Sequence, residues 1–121
     1  MVQTRVLVVD DDEGILEFLT MALEGEGYSV LTAVNGAALQ LAHDHQPAVV
    51  LLDLMMPGMD GIEVSQRLRA DPATAHIPII AMSAQDRLQA AEPSMSADDR
   101  LPKPFDLNRL FATVARWATS P

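Results

Sequence analysis

The 121-residue chain has no cysteine, one tryptophan, one tyrosine, and only eight lysines and arginines against seventeen aspartates and glutamates. Without thiols it can form no disulfide, no thiolate metal site and no cysteine nucleophile. A net charge of −9 opposes long-range attraction to the phosphate backbone of nucleic acids and to anionic membranes. Direct nucleic-acid binding by this segment is therefore not expected. The chain also shows no signal-peptide-like opening and no apolar run of membrane length, which makes the cytoplasm its expected location. What it does have is ordinary globular composition, 49% hydrophobic and 21% charged. Its length suits one domain spanning 1–121.

Apolar runs recur along the chain with helical segments between them. Val6-Leu7-Val8-Val9 halts at Asp10-Asp11-Asp12, and Ala48-Val49-Val50-Leu51-Leu52 ends on Asp53. Continuous aliphatic runs of this kind predict strands buried on both faces. A weaker strand is expected over Tyr28 to Ala33, a fourth over Ile77 to Met82 with Pro78 near its start, and a brief fifth near Arg100-Leu101.

Between them, Ile15, Leu16, Phe18, Leu19, Ala22 and Leu23 form a helical stripe with Asp12 as N-cap, stopped by Gly25 and Gly27. Helices are likewise expected after Asn35-Gly36, after the cap Asp60 until Asp71-Pro72, briefly over Leu88, Ala90 and Ala91, and from Leu107 to Trp117. Strands alternating with helices predict right-handed crossovers and a parallel sheet covered on both faces, an α/β doubly wound architecture.

In such sheets, sites form at the carboxyl ends of the strands. Asp10 and Asp53 each end an apolar strand and Asp11 follows the first, so three carboxylates converge on one edge. Clustered anions need a cation, and an oxygen-only donor set suits Mg²⁺. A carboxylate beside Mg²⁺ can also attack phosphorus to give an aspartyl phosphate. That chemistry calls for a hydroxyl and a cation facing the phosphoryl oxygens. Ser83 and Lys103, at later strand ends on the same edge, can supply them. His43, His45 and His76 share no ligand-like spacing with one another or with the acids.

Val8-Val9-Asp10-Asp11, the run Asp53-Leu54-Met55-Met56-Pro57-Gly58-Met59-Asp60-Gly61, Ser83-Ala84 and Lys103-Pro104-Phe105 resemble the receiver domain of two-component response regulators. The resemblance covers essentially the whole chain, and the ordered set is far more specific than any one piece. It implies a flavodoxin-like (βα)5 fold with five parallel strands in order 2-1-3-4-5. It implies that Asp53 accepts a phosphoryl group from a sensor histidine kinase or a histidine phosphotransfer protein. Asp10, Asp11, Asp53 and the backbone carbonyl of Met55 would hold Mg²⁺, Ser83 would contact the phosphoryl group, and Lys103 would pair with its charge. Pro104 would occupy a cis-proline position. The module would be a signalling switch rather than an enzyme, acting on a downstream effector protein or on an output domain outside this segment. Phosphorylation-dependent homodimerisation stays open.

Departures from the family pattern are also present. Arg100 stands where an aromatic switch residue is usual, Ser96 where glycine is common, and Pro102 directly precedes Lys103. Pro102 removes a ladder donor, which an edge strand tolerates. Arg100 favours a second reading, a phosphate-independent interaction module of the same fold. A third is a haloacid-dehalogenase-like phosphohydrolase, whose nucleophile motif Asp10-x-Asp12 matches formally but leaves the run from Asp53 unexplained. Met55 and Gln85 occupy positions that influence water access to the phosphoryl group in the family. An apolar methionine gives water no polar anchor, so self-dephosphorylation is expected to be slow, minutes or longer.

Overall fold

Strands with no polar alternation are stable only where helices cover both faces of their sheet, and the chain is built that way. The structure is a computed structural model and describes residues 4–34, 36–54, 61–84, 88–89 and 95–118. In order these form β1 (Arg5–Val9), α1 (Glu13–Gly25), β2 (Ser29–Ala33), α2 (Ala37–His45), β3 (Val49–Asp53), α3 (Gly61–Ala70), β4 (Ile79–Ala84), β5 (Asp99–Lys103) and α4 (Leu107–Ala118). All neighbouring strands pair parallel, as the alternation of strands and helices predicts, in the order β2-β1-β3-β4-β5 that the receiver resemblance implies.

The period of two along each strand divides the core. Val6 and Val8 of β1, Val49 and Leu51 of β3, Ile80 and Met82 of β4 and Leu101 of β5 meet Leu19 and Leu23 of α1 and Leu110 and Val114 of α4. On the other face Leu7, Val9, Val50, Leu52 and Ile79 meet Ala38 and Ala42 of α2 and Val64 and Leu68 of α3. Each buried aliphatic side chain contributes about 1.5–3 kcal/mol, so the central strands anchor the sheet and hold its carboxyl edge in register.

Local chemistry sets the helix ends. The Asp12 carboxylate accepts from the backbone N–H of Gly14 at 2.8 Å and of Ile15 at 3.3 Å, the N-cap that the sequence predicts. α1 ends at Gly25, and Gly27 adopts φ 95° to turn the chain into β2. Gln46 closes α2 in the left-handed region at φ 47°, and its side-chain amide donates to the carbonyls of His43 and Ala73 at 3.1 and 3.0 Å.

Two strand boundaries differ from expectation. β4 begins at Ile79 and runs through Ser83 to Ala84. Ile77 is buried in the core without being a strand residue, so its hydrophobicity alone advances the expected start. Pro78 precedes the strand and accepts from Val50 N–H through its carbonyl at 2.9 Å. β5 extends over five residues, Asp99–Lys103, and takes in Pro102 because it lies at the edge of the sheet. Leu88 and Gln89 are helical as expected, whereas Ala90, Ala91, Pro93, Asn35 and the expected cap Asp60 lie outside the described residues. Leu107, placed by its spacing on the inner face of the last helix, is 40% exposed.

Candidate functional site

Register brings the predicted residues together. Val9 pairs with Leu52, so Asp10 and Asp53 each stand one residue beyond a matched pair on adjacent strands. Asp53 in turn pairs with Met82, Ser83 with Pro102, and Ala84 with Lys103. The carboxyl edge of β1, β3, β4 and β5 therefore carries Asp10, Asp53, Ser83 and Lys103 in one row, with Asp11 on the loop beside it.

Asp10, Asp11 and Asp53 each present a carboxylate oxygen within 4.8 Å of the others. Asp10, Asp53 and Ser83 are buried, at 1%, 6% and 4% exposure, while Asp11 is open to solvent. Asp10 is held at both oxygens: Oδ1 accepts from Asp12 N–H at 3.0 Å, and Oδ2 lies 3.4 Å from Lys103 Nζ. The donor set is all oxygen and includes a solvent-facing member. It fits Mg²⁺, which keeps part of its water shell and takes one or two carboxylates from protein. Lys103 is followed by a cis peptide bond to Pro104, the position implied by the resemblance.

The three N-terminal aspartates divide their work. Asp12 turns its carboxylate to the α1 N-terminus and takes no part in the cluster. An Asp-x-Asp nucleophile pair built on Asp10 and Asp12 is therefore not what the edge assembles. His43 pairs with Asp44 at 3.3 Å on the last turn of α2, apart from the cluster. Arg100 is exposed on β5, and Trp117 donates from Nε1 to Asp99 Oδ2 at 2.7 Å, tying α4 to the start of β5. Met55 and Gln85 lie outside the described residues.

Gly61, distinguished in the sequence only as the end of the run that begins at Asp53, lies against the site. Gly61 opens α3 with its N–H donating to the Leu54 carbonyl at 3.2 Å. A Cβ there would fall on the carbonyl oxygen of Asp53 and 2.5 Å from Leu54 Cα. The signal was the glycine at a helix start, where capping side chains are the usual choice.

A doubly wound sheet with an acidic cluster and a lysine at its carboxyl edge defines a class of α/β domain suited to Mg²⁺ and phosphoryl groups. The particular family follows from comparison. Residues 6–115 match the model of the response regulator receiver domain, and the chain belongs to that family. It is 44% identical over 115 residues to the DNA-binding dual master transcriptional regulator RpaA of Synechocystis sp., covering 91% of this chain and 47% of RpaA. It is 45% identical to the response regulator PleD of Caulobacter vibrioides, covering 91% of this chain and 25% of PleD. The phosphate regulon transcriptional regulatory protein PhoB of Pseudomonas aeruginosa is 41% identical, with 94% of this chain and 51% of PhoB covered. The chain thus spans about half the length, or less, of these curated relatives.

Among solved structures, the receiver domain of the sensor histidine kinase PA1611 from Pseudomonas aeruginosa superposes with a TM-score of 0.89 at 27% identity, covering 98% of this chain and 100% of that one. That structure has a magnesium ion coordinated in its active site cleft. The Vibrio cholerae chemotaxis protein CheY4 gives a TM-score of 0.85 at 29% identity, with 96% and 99% covered. The chain is a receiver domain of the two-component phosphorelay class, a signalling module. Among the described residues no helix is long and apolar enough to cross a membrane.

Proposed function

We propose that this receiver, acting as one unit over 1–121, takes a phosphoryl group on Asp53 from a phosphohistidine of a sensor histidine kinase or histidine phosphotransfer protein. The observation that carries the reading is the convergence of Asp10, Asp11 and Asp53 within 4.8 Å, with Lys103 3.4 Å from Asp10. Asp10, Asp11, Asp53 and the Met55 backbone carbonyl would hold Mg²⁺. When bound, it would offset the carboxylate charge and that of the incoming phosphoryl oxygens.

An Asp53 carboxylate oxygen attacks phosphorus in line, the P–N bond to the donor imidazole breaks, and the imidazole leaves with its electron pair and takes up a proton. Lys103, which pairs with Asp10 at the same edge, offsets the new charge, and the Ser83 hydroxyl donates to a phosphoryl oxygen. The burial of Asp53 limits water around the acyl phosphate. With an apolar Met55 two residues on and Gln85 two past Ser83, loss of the phosphoryl group takes minutes or longer.

The work is cytoplasmic. The readout lies in a downstream effector or in an output domain outside this segment, and a phosphorylation-dependent homodimer is one form that readout can take. With −9 net charge, the receiver segment itself makes no nucleic-acid contact.

Incubation with acetyl phosphate and MgCl₂, followed by intact mass of the wild type and of Asp53→Ala, tests the assignment. A single phosphoryl adduct absent from the variant is expected. Persistence of the adduct removes Asp53 from the role, and no adduct in either chain favours the phosphate-independent module suggested by Arg100. Loss of the adduct within seconds in Mg²⁺ contradicts slow self-dephosphorylation.

A further inference from the structure

The first turn of α3 sits directly on the Asp53–Leu54 peptide. The Gly61 N–H donates to the Leu54 carbonyl at 3.2 Å, and the next residue, Ile62, packs against the buried cluster of Leu54, Ala81 and Leu88. A Cβ on Gly61 would overlap the Asp53 carbonyl oxygen and approach Leu54 Cα to 2.5 Å. These neighbours are backbone atoms, so no side-chain rotation can relieve the overlap. At Gly25 and Gly27, by contrast, an added Cβ meets nothing within 4 Å.

We propose that Gly61 is a positioning residue for the acidic cluster: its missing side chain lets α3 seat against β3 and fixes where the Asp53 carboxylate stands relative to Asp10 and Asp11. The inference rests on the reading of these three aspartates as a divalent-cation site. A methyl group at Gly61 forces the first turn of α3 back by roughly 1 Å, or tilts the Asp53–Leu54 peptide. Either movement carries the Asp53 carboxylate away from its partners, and Mg²⁺ demands near-ideal octahedral placement of its ligands.

The test is calorimetric titration of MgCl₂ into the wild type, Gly61→Ala and Leu68→Ala, with acetyl phosphate adduct formation followed by mass across Mg²⁺ concentrations. Leu68 is buried in the same helix among Val64 and Ile77, so Leu68→Ala loosens α3 without touching Asp53. Gly61→Ala is expected to raise the Mg²⁺ Kd about tenfold or more. It should also slow adduct formation at low Mg²⁺, with recovery at saturating Mg²⁺, while Leu68→Ala keeps the wild-type Kd despite lower stability.

An unchanged Kd in Gly61→Ala overturns the proposal, as does an equal rise in Leu68→Ala, which would make the effect one of helix stability. If Gly61→Ala does not fold by circular dichroism, Ile62→Ala takes its place as the variant that unseats the same turn. A raised Kd supports the proposal there too, and an unchanged one overturns it. A wild type that binds no Mg²⁺ overturns the cation-site reading and the positioning role with it, whereas binding by the wild type with an unaltered variant overturns the positioning role alone.

Discussion

The Lys103 ammonium lies 3.4 Å from Oδ2 of Asp10, a pair separated by 93 residues that joins the end of β5 to the residue following β1. Asp10 is nearly sealed from solvent while the Lys103 side chain is 31% exposed, so the cation caps a buried anion from the solvent side. Lys103→Ala removes the ammonium paired with that carboxylate and leaves it beside those of Asp11 and Asp53. The expected cost in Mg²⁺-free buffer is about 1–2 kcal/mol, below the value for a fully buried pair because Lys103 is partly solvated. Mg²⁺ binding should tighten, because a competing cation has gone, while far-UV circular dichroism stays native and the response to acetyl phosphate is blunted. Urea unfolding with and without MgCl₂ checks the sign. Weaker Mg²⁺ binding would show that Lys103 shapes the site rather than competing for it.

Asp53→Asn removes one of three carboxylates whose oxygens lie within 4.8 Å. Like charges at this distance oppose folding when no cation is bound. The variant should gain about 1 kcal/mol in EDTA, and MgCl₂ should then raise its Tm by less than it raises that of the wild type. Thermal unfolding in the two buffers gives both numbers. A Tm in EDTA below that of the wild type would mean that other contacts of Asp53 outweigh the repulsion.

Much of this arrangement was legible in the sequence because its determinants are local or periodic. Val6 to Val9 and Val49 to Leu52 could only be doubly covered strands, and once they lie parallel, Asp10 and Asp53 must share an edge. The capping role of Asp12 followed from its place before an amphipathic stripe. Ile77 misled because a buried aliphatic before a proline looks the same in sequence whether or not its backbone joins the ladder. The extent of β5 was obscured by Pro102, whose tolerance depends on the strand lying at the edge. A glycine at a helix start marks Gly61 in the sequence, but which backbone it approaches is a through-space relation between α3 and β3 that the residue pattern does not encode.

Asp12 and Asp11 are adjacent acids with separable duties. Asp12 accepts two backbone N–H groups of α1, and Asp11 belongs to the cluster. Asp12→Ala should therefore cost about 1 kcal/mol, the usual value of an N-cap, and leave Mg²⁺ affinity within twofold of the wild type. Asp11→Ala should do the reverse, weakening Mg²⁺ severalfold with little change in metal-free stability. Paired urea and MgCl₂ titrations of the two variants decide the matter, and a common loss of Mg²⁺ affinity would contradict the division.

Tyr28, the only tyrosine, has its phenol pushed above the ordinary value of 10.0, first by burial and then by the nearby Glu26 carboxylate. Its neutral form is therefore favoured in the folded state. The associated stability is fully present below the ordinary tyrosine value and is lost as pH rises through the folded value. Tyrosinate absorbance of the native protein should titrate later than that of the urea-unfolded chain, and Glu26→Gln should narrow the gap. Coincident titrations would show that Tyr28 is solvated in the folded state.

The start of β5 is held by a second charged junction, at the edge opposite the acidic cluster. Asp98 Oδ2 accepts from Arg69 Nη2 at 2.6 Å and from the Ile79 N–H at 2.8 Å, while Arg69 also donates to the carbonyls of Ala75 and Ser96 at 2.7 and 3.1 Å. Both side chains are about a third exposed, at 31% and 30%, so the ion pair itself contributes little and the hydrogen bonds to backbone carry more. Asp98→Ala strips the Ile79 N–H of its acceptor at the first residue of β4 and should cost about 1–3 kcal/mol. Asp98→Asn keeps an acceptor and should cost clearly less. Lys103 lies five residues further along the chain, roughly 16 Å away at strand rise, so neither variant should change the Mg²⁺ Kd. Urea unfolding ranks the two variants. A shifted Kd in the MgCl₂ titration would show instead that the anchoring of β5 at Asp98 is felt at the acidic cluster through Lys103.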